Sequence, residues 1–315
     1  MSRGERDEAP GTPALAAAGP TAAPEAAWAL TPRRRFAVAN RWRNPIGIAG
    51  AVIVAINVLL AGLGPLLWRT DPAEQESDRL LGPSWAHPMG TDELGRDTFA
   101  RIIEGAQVSF EVGAVSVLIA LVSGVLVGLL AGFYGGLVDA ILMRFVDIIF
   151  AFPGLVLAIV IAGLLGPSRT NAMIAIGVVY APAFARVTRG SVLEVMGLPF
   201  VESARALGSS GTRIMRRHLL PNILAPIIVM ITIYLSTAIL SEAALSFLGL
   251  GTQPPEASWG SMLNISRTYF ETSPWMAIFP GLAIMLVVLG FNFLGDGLRD
   301  ILDPRLGSHV ASGGK

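Results

Sequence analysis

The chain has 315 residues, 53% of them hydrophobic and only 15% charged, with a formal net charge of zero. So apolar a composition excludes an ordinary soluble domain, and the charge balance supplies no global field for nucleic acid. Cysteine is absent, which excludes disulfides, thiolate nucleophiles and Cys-based zinc or iron–sulfur sites. His87, His218 and His309 are the only histidines and lack metal-ligand spacing, so neither a metal nor a cofactor is expected.

Residues 1–43 open the chain as an Ala/Pro-rich stretch without hydrophobic period, expected to be a disordered tail. No cleaved signal is expected, because the first apolar run begins only near Pro45. Arg33, Arg34, Arg35, Arg41 and Arg43 precede that run, and the positive-inside rule places them in the cytoplasm.

A helix needs roughly 20 apolar residues to cross a hydrocarbon core about 30 Å thick. Five charge-free stretches meet this: Asn44 to Trp68, Val112 to Val138, Ile148 to Ser168, His218 to Ser241 and Thr272 to Gly295. Thr170 to Ala185 is shorter, yet its run from Met173 to Tyr180 cannot lie in water, so six spans are predicted. Alternation then puts Arg69–Glu111, with four arginines against nine acids, outside. It puts the segment with Arg186, Arg189, Arg205, Arg213, Arg216 and Arg217 inside, and both termini in the cytoplasm.

The second span carries Ser116, Ala120, Gly124, Gly128 and Gly132 at every fourth position, a stripe along which another helix can approach closely. The sequence leaves open whether that neighbour is in this chain or in another subunit. Arg144 and Asp147 stand three apart and are expected to pair at a helix entry. On the fifth span Thr232 and Ser236, four apart, are candidates to face a polar cavity, while Tyr234, Thr237 and Ser241 point elsewhere. The alternative for both hydroxyls is bonding the carbonyl one turn back or a neighbouring helix.

A nucleotide-driven motor needs a phosphate-binding loop with an internal lysine, and the only lysine here is Lys315. Any such motor must therefore sit on another chain. An autonomous channel or proton-coupled carrier is the rival of a different class. It calls for ionisable groups at mid-span, whereas Asp139, Arg144, Asp147, Glu242 and Asp296 fall near span ends.

Between the fourth and fifth spans, Leu198 to Gly208 reads as a short helix, with Pro199 in its first turn and Gly208 at its C-terminal cap. Phe200, Ala204 and Leu207 form its apolar stripe. A second short helix is predicted from Thr212 to Leu220, interrupted by Pro221. Glu202-Ser203-Ala204, Gly208 and Leu220-Pro221 resemble the EAA loop of permease subunits in binding-protein-dependent ABC importers. His218 within Arg216-Arg217-His218 resembles the variant of the peptide branch.

Further blocks are similar to the C-type subunit of dipeptide and oligopeptide permeases, and together they cover about residues 45–306. They are Gly90 to Asp97, Met143 to Asp147 followed by Ala151-Phe-Pro153, Glu242 to Gly249, Pro254-Pro255 with Trp259-Gly260, and Asp296 to Asp300 ending at Asp303-Pro304.

This resemblance implies an all-α integral membrane protein with the six-helix type I ABC importer permease fold in residues 44–306, followed by a short tail at 307–315. The coupling loop would span 188–221, and the chain would lie in the bacterial inner membrane among lipid. The implied partners are a related second permease subunit, two ABC ATPase subunits or domains, and an external solute-binding protein. Implied coupling residues are Glu202, Ser203, Ala204, Arg205, Gly208, His218, Leu220 and Pro221. Glu202 would meet an arginine of the ATPase, the alternative being an ion pair with Arg205. Thr91 and Asp92 are expected to cap a short external helix containing Arg96 and Asp97. Trp259 reads as an interfacial anchor, or else as a contact for the solute-binding protein.

Overall fold

The computed structural model of the protein describes residues 44–75 and 77–302; the N-terminal tail with its arginines, and the segment from Asp303 onward, lie outside them. Among the described residues the regular structure is helical, apart from one isolated bridge between Thr91 and Asp97. Five helices are each long and apolar enough to span a membrane: α1 (Pro45–Leu67), α2 (Thr98–Tyr134), α5 (Arg169–Met196), α8 (Leu224–Phe247) and α10 (Trp275–Leu302). Two shorter ones, α3 (Gly136–Phe150) and α4 (Gly154–Leu165), pass that test only as a pair bent by 89°.

Six spans therefore hold if that bent pair counts as one, but the uninterrupted third span expected from Ile148 to Ser168 does not exist. Pro153 has no N–H to donate, and it disfavours helical geometry at Phe152, so α3 stops at Phe150 and α4 starts afresh at Gly154. Conversely, the stretch that looked short from Thr170 to Ala185 belongs to α5, whose 28 residues run on to Met196. Its charged end is accommodated by α3. Arg189 donates to Asp139 through Nε (2.5 Å) and Nη2 (2.6 Å), and Arg186 donates to Asp147 at 2.8 Å while lying over the Phe150 ring. Asp147 thus pairs across to α5 and not with Arg144, because the bend lays α3 beside that helix.

The small-residue stripe of α2 packs against α5 of the same chain. A Cβ on Gly124 would sit 2.4 Å from the Ala181 carbonyl oxygen, and one on Gly128 2.3 Å from that of Ala185. At the other side of the bundle α1 crosses α10, with Gly47 against Gly297. One end of the bundle gathers Arg186 and Arg189 of α5 and the arginines of the loop after it. The opposite end carries the segment 69–97, together with α9 (Trp259–Tyr269).

The short helix expected around Arg96 is a tight turn instead. The Asp92 carboxylate accepts from the backbone N–H groups of Leu94 and Arg96, both at 2.9 Å, and from Arg96 Nε at 2.6 Å. These bonds divert the backbone from helix. The cap goes to α2: Asp97 accepts from the Ala100 N–H at 2.7 Å and also holds His87 and Trp68 Nε1. Burial, and then the neighbouring Asp92, push the Glu93 carboxyl above the ordinary carboxylate range despite its contact with Arg96.

Candidate functional site

The loop after α5 is built from local rules. Gly197 ends α5, Leu198 is extended, and Pro199 supplies the preset φ of the first turn of α6 (Pro199–Ala206). The Ser203 hydroxyl donates to the Pro199 carbonyl at 2.9 Å. At its other end Gly208 sits in the left-handed region at φ +74. Gly208 N–H donates to the Arg205 carbonyl (2.9 Å) and Ser209 N–H to that of Ala204 (3.0 Å), the paired bonds of a Schellman cap.

The chain then turns into α7 (Gly211–Ile214), a wider π turn at Met215–Leu219 and a 3-10 turn at Leu220–Asn222, where Pro221 prevents continuation into α8. The predicted second helix is therefore present as three short pieces.

The underside of this elbow is a small core of its own. Val201 is buried with Val192, Val195, Ile214, Met215, Leu219 and Ile223, and Ala204 is buried on the same helix. The expected stripe of Phe200, Ala204 and Leu207 is thus corrected: Leu207 is 87% exposed and Phe200 40%, and Val201 is the anchor instead. Phe200 faces the His218 ring at 6.2 Å. Glu202 is exposed and takes part in none of the ion pairs among the described residues, so the pair with Arg205 is not made. Arg205 reaches Met196 Sδ and lies over the Phe133 ring instead. The outer face accordingly shows one carboxylate, Glu202, beside exposed Arg205, Arg213, Arg216 and Arg217. Such a face can dock a partner through charge-assisted bonds; it holds no arrangement for covalent chemistry.

Two further expectations change. Thr232 and Ser236 are buried against α10, not set toward a cavity. Thr232 donates to the Val229 carbonyl, and Ser236 donates to that of Ile233 and to Asn292 Oδ1. Trp259 is fully enclosed, so it is neither an interfacial anchor nor a contact for an external protein. Its indole N–H donates to the Ile102 carbonyl of α2 at 3.1 Å, and its ring packs beside Gly105. Trp259→Ala should therefore cost about 3 kcal/mol or more of stability, read as a lower unfolding temperature of the purified chain, with Trp259→Phe losing far less.

Glu242, near a span end by sequence, takes a structural position in the bundle. It lies fully buried between α2 and α8, accepting from Ser246 (2.7 Å) and Ser109 (3.4 Å) beneath the turn that leads to α9.

A bundle of helices long and apolar enough to span a membrane, with a charged elbow at one end, marks a polytopic membrane protein. Residues 124–308 match the family described as binding-protein-dependent transport system inner membrane component, and the chain belongs to that family. It is 46% identical over 286 residues to a dipeptide transport system permease protein of Alkalihalophilus pseudofirmus, covering 88% of this chain and 94% of the relative. It is 43% identical to a glutathione transport system permease protein of Pectobacterium atrosepticum (88% and 93% covered). A probable D,D-dipeptide transport system permease protein of Escherichia coli K12 is 44% identical (84% and 89%). Among solved structures, an inward-facing form of the MetNI methionine ABC transporter superposes with a TM-score of 0.54 at 21% identity, over 64% of this chain and 96% of that one. The fold is that of an ABC importer permease.

Proposed function

We propose that this chain is the transmembrane permease subunit of an ABC importer for di- or oligopeptides, forming half of a translocation pathway with a related second permease. The elbow carries the reading: a helix pair fixed from beneath by Val201, Ile214 and Leu219, with Glu202 on its outer face unpaired among the described residues. A surface held rigid in this way transmits a push from a docked protein to α5 and α8, to which it is joined at both ends.

ATP hydrolysis then belongs to two ATPase subunits or domains docked on the elbow, and cargo selection to an external solute-binding protein. The arginine-rich end faces the cytoplasm, as the positive-inside rule directs. The mechanism is alternating access, in which ATPase closure shifts the elbow and tilts the spans. The peptide cargo is favoured by relatives named for dipeptides; the glutathione permease relatives favour, as a second reading, the same machine carrying that thiol tripeptide.

The test is reconstitution in liposomes with the partner permease, the ATPases and the binding protein. Labelled dipeptide should accumulate only with ATP, and the purified chain alone should move nothing. Solute flux through the chain alone without ATP would establish a channel or carrier and overturn the proposal.

A further inference from the structure

Thr232 and Ser236 account for one polar face of α8, and a second hydroxyl face lies on the same helix. Tyr234, Thr237 and Ser241 recur at helical spacing and are each only half-buried, although this helix has no charged residue before Glu242. Across from them on α5, Tyr180 is half-buried as well. Its hydroxyl shares a 2.6 Å hydrogen bond with Ser241 Oγ and lies 3.3 Å from the Thr237 carbonyl oxygen, to which it donates. The Tyr180 and Tyr234 rings meet edge to face with centroids 5.0 Å apart, and Phe184 backs Tyr234 at 5.2 Å. Among the described residues the Tyr234 hydroxyl has no hydrogen-bond partner.

Depth matters. At 1.5 Å per residue Tyr180 lies roughly 16 Å below the start of α5, and Thr237 roughly 20 Å from the start of α8, so both stand near mid-membrane. Hydroxyls left half-open at that depth are costly against lipid tails and signal a water-filled or polar-lined space.

We infer that Tyr180, Tyr234, Thr237 and Ser241 form this subunit's lining of the translocation pathway, and that they take the amide backbone of the peptide in transit. This rests on the peptide-importer reading above. The protons of Thr237, Tyr180 and Ser241 go to the Ile233 carbonyl, the Thr237 carbonyl and Tyr180, so these three oxygens accept a peptide N–H, while the Tyr234 hydroxyl also donates to a peptide C=O. The set contains no charge, so it favours no particular side chain, and the aromatic rings offer apolar residues a flat, rigid surface. A pathway of this kind passes peptides of varied sequence, leaving selection to the external protein.

Because the chain has no native cysteine, single thiols report directly. In the assembled transporter, with partner subunits freed of cysteine, Thr237→Cys and Ser241→Cys are exposed to a positively charged, membrane-impermeant methanethiosulfonate. Leu240→Cys, an exposed apolar position on the same helix, and the buried Ser236→Cys are the controls. Modification of the first pair about tenfold faster than of either control, and slower with excess dipeptide, is the expected result. Reaction only with lipid-soluble maleimide would make this a lipid face, and no reaction with either reagent would make it a seal against the second permease. Either outcome overturns the inference. Labelling without dipeptide protection would keep the aqueous lining and overturn the peptide contact. ATP-driven uptake by the unmodified complex, measured in parallel, reports separately on the importer reading.

Discussion

Alanine at Gly124 or Gly128 is expected to lower the stability of the purified chain by about 2 kcal/mol each, and leucine at both positions to stop it accumulating in the membrane. The reason is the identity of the atoms that a new side chain would meet. A Cβ on Gly124 would stand 2.4 Å from the Ala181 carbonyl oxygen, 2.6 Å from Phe184 Cβ and 3.0 Å from the Ala185 nitrogen. On Gly128 it would stand 2.3 Å from the Ala185 oxygen and 2.7 Å from Thr188 Cβ.

These are backbone and Cβ atoms, which cannot rotate aside as a side-chain tip can. The α2–α5 seam would have to open along its length, and the dispersion contacts that hold helices together within a bilayer would be lost. Gly163 and Gly190 provide the control, since a Cβ at either meets nothing within 4 Å. Alanine there should be neutral or mildly stabilising, by up to about 1 kcal/mol, through its better helix propensity. Unfolding midpoints in detergent and the amount of chain in membranes measure both effects. Equal behaviour of Gly128→Ala and Gly190→Ala would refute the close-packing account.

The contrast between these glycines and Trp259 shows where sequence reading reaches and where it stops. The four-residue stripe from Ser116 to Gly132 was legible because close helix approach demands small residues in a local period. Its partner was not singled out: α5 repeats the period in Gly177, Ala181 and Ala185, but no local feature says that these two stripes meet each other. Trp259 sits in a loop-like context rich in proline, and what buries it is the Ile102 carbonyl 157 positions earlier.

Counting charge-free runs found the apolar mass of every span but not its direction. The run from Ile148 to Ser168 passes straight across Pro153, and α5 is lengthened by Arg186 and Arg189, which Asp147 and Asp139 of α3 neutralise. In the elbow, Pro199 and Gly208 were readable because turn chemistry is local. Val201 was missed because a helix of eight residues fits two apolar phases equally well. The hydroxyls of α8 posed the same problem: Thr232/Ser236 and Thr237/Ser241 share one spacing, and only Asn292 and Gly295 on α10 decide which pair is buried.

Changes at the elbow are expected to separate folding from coupling. Glu202 has no ion-pair partner among the described residues, so Glu202→Ala should leave stability within about 0.5 kcal/mol of the original. A charge-assisted bond to a docked ATPase is worth about 1.5–3 kcal/mol, so the same change should weaken ATPase association by roughly ten- to a hundredfold.

Gly208 acts through the backbone instead. Its φ of +74 closes the Schellman cap, and a Cβ there would meet nothing within 4 Å, so any penalty is conformational and not steric crowding within this chain. Asparagine tolerates the left-handed region, whereas valine does not. Gly208→Asn should therefore retain most ATP-driven uptake, while Gly208→Val redirects α6 and loses roughly tenfold or more at a strain of about 1–2 kcal/mol. Both variants should stay folded, because Val201, Ile214 and Leu219 still hold the elbow from beneath. If Asn and Val fail alike, Gly208 is needed for a close approach by the docked partner and not for its turn. If Glu202→Ala and Gly208→Val both co-purify with the ATPase and transport normally, the elbow is not where the motor engages.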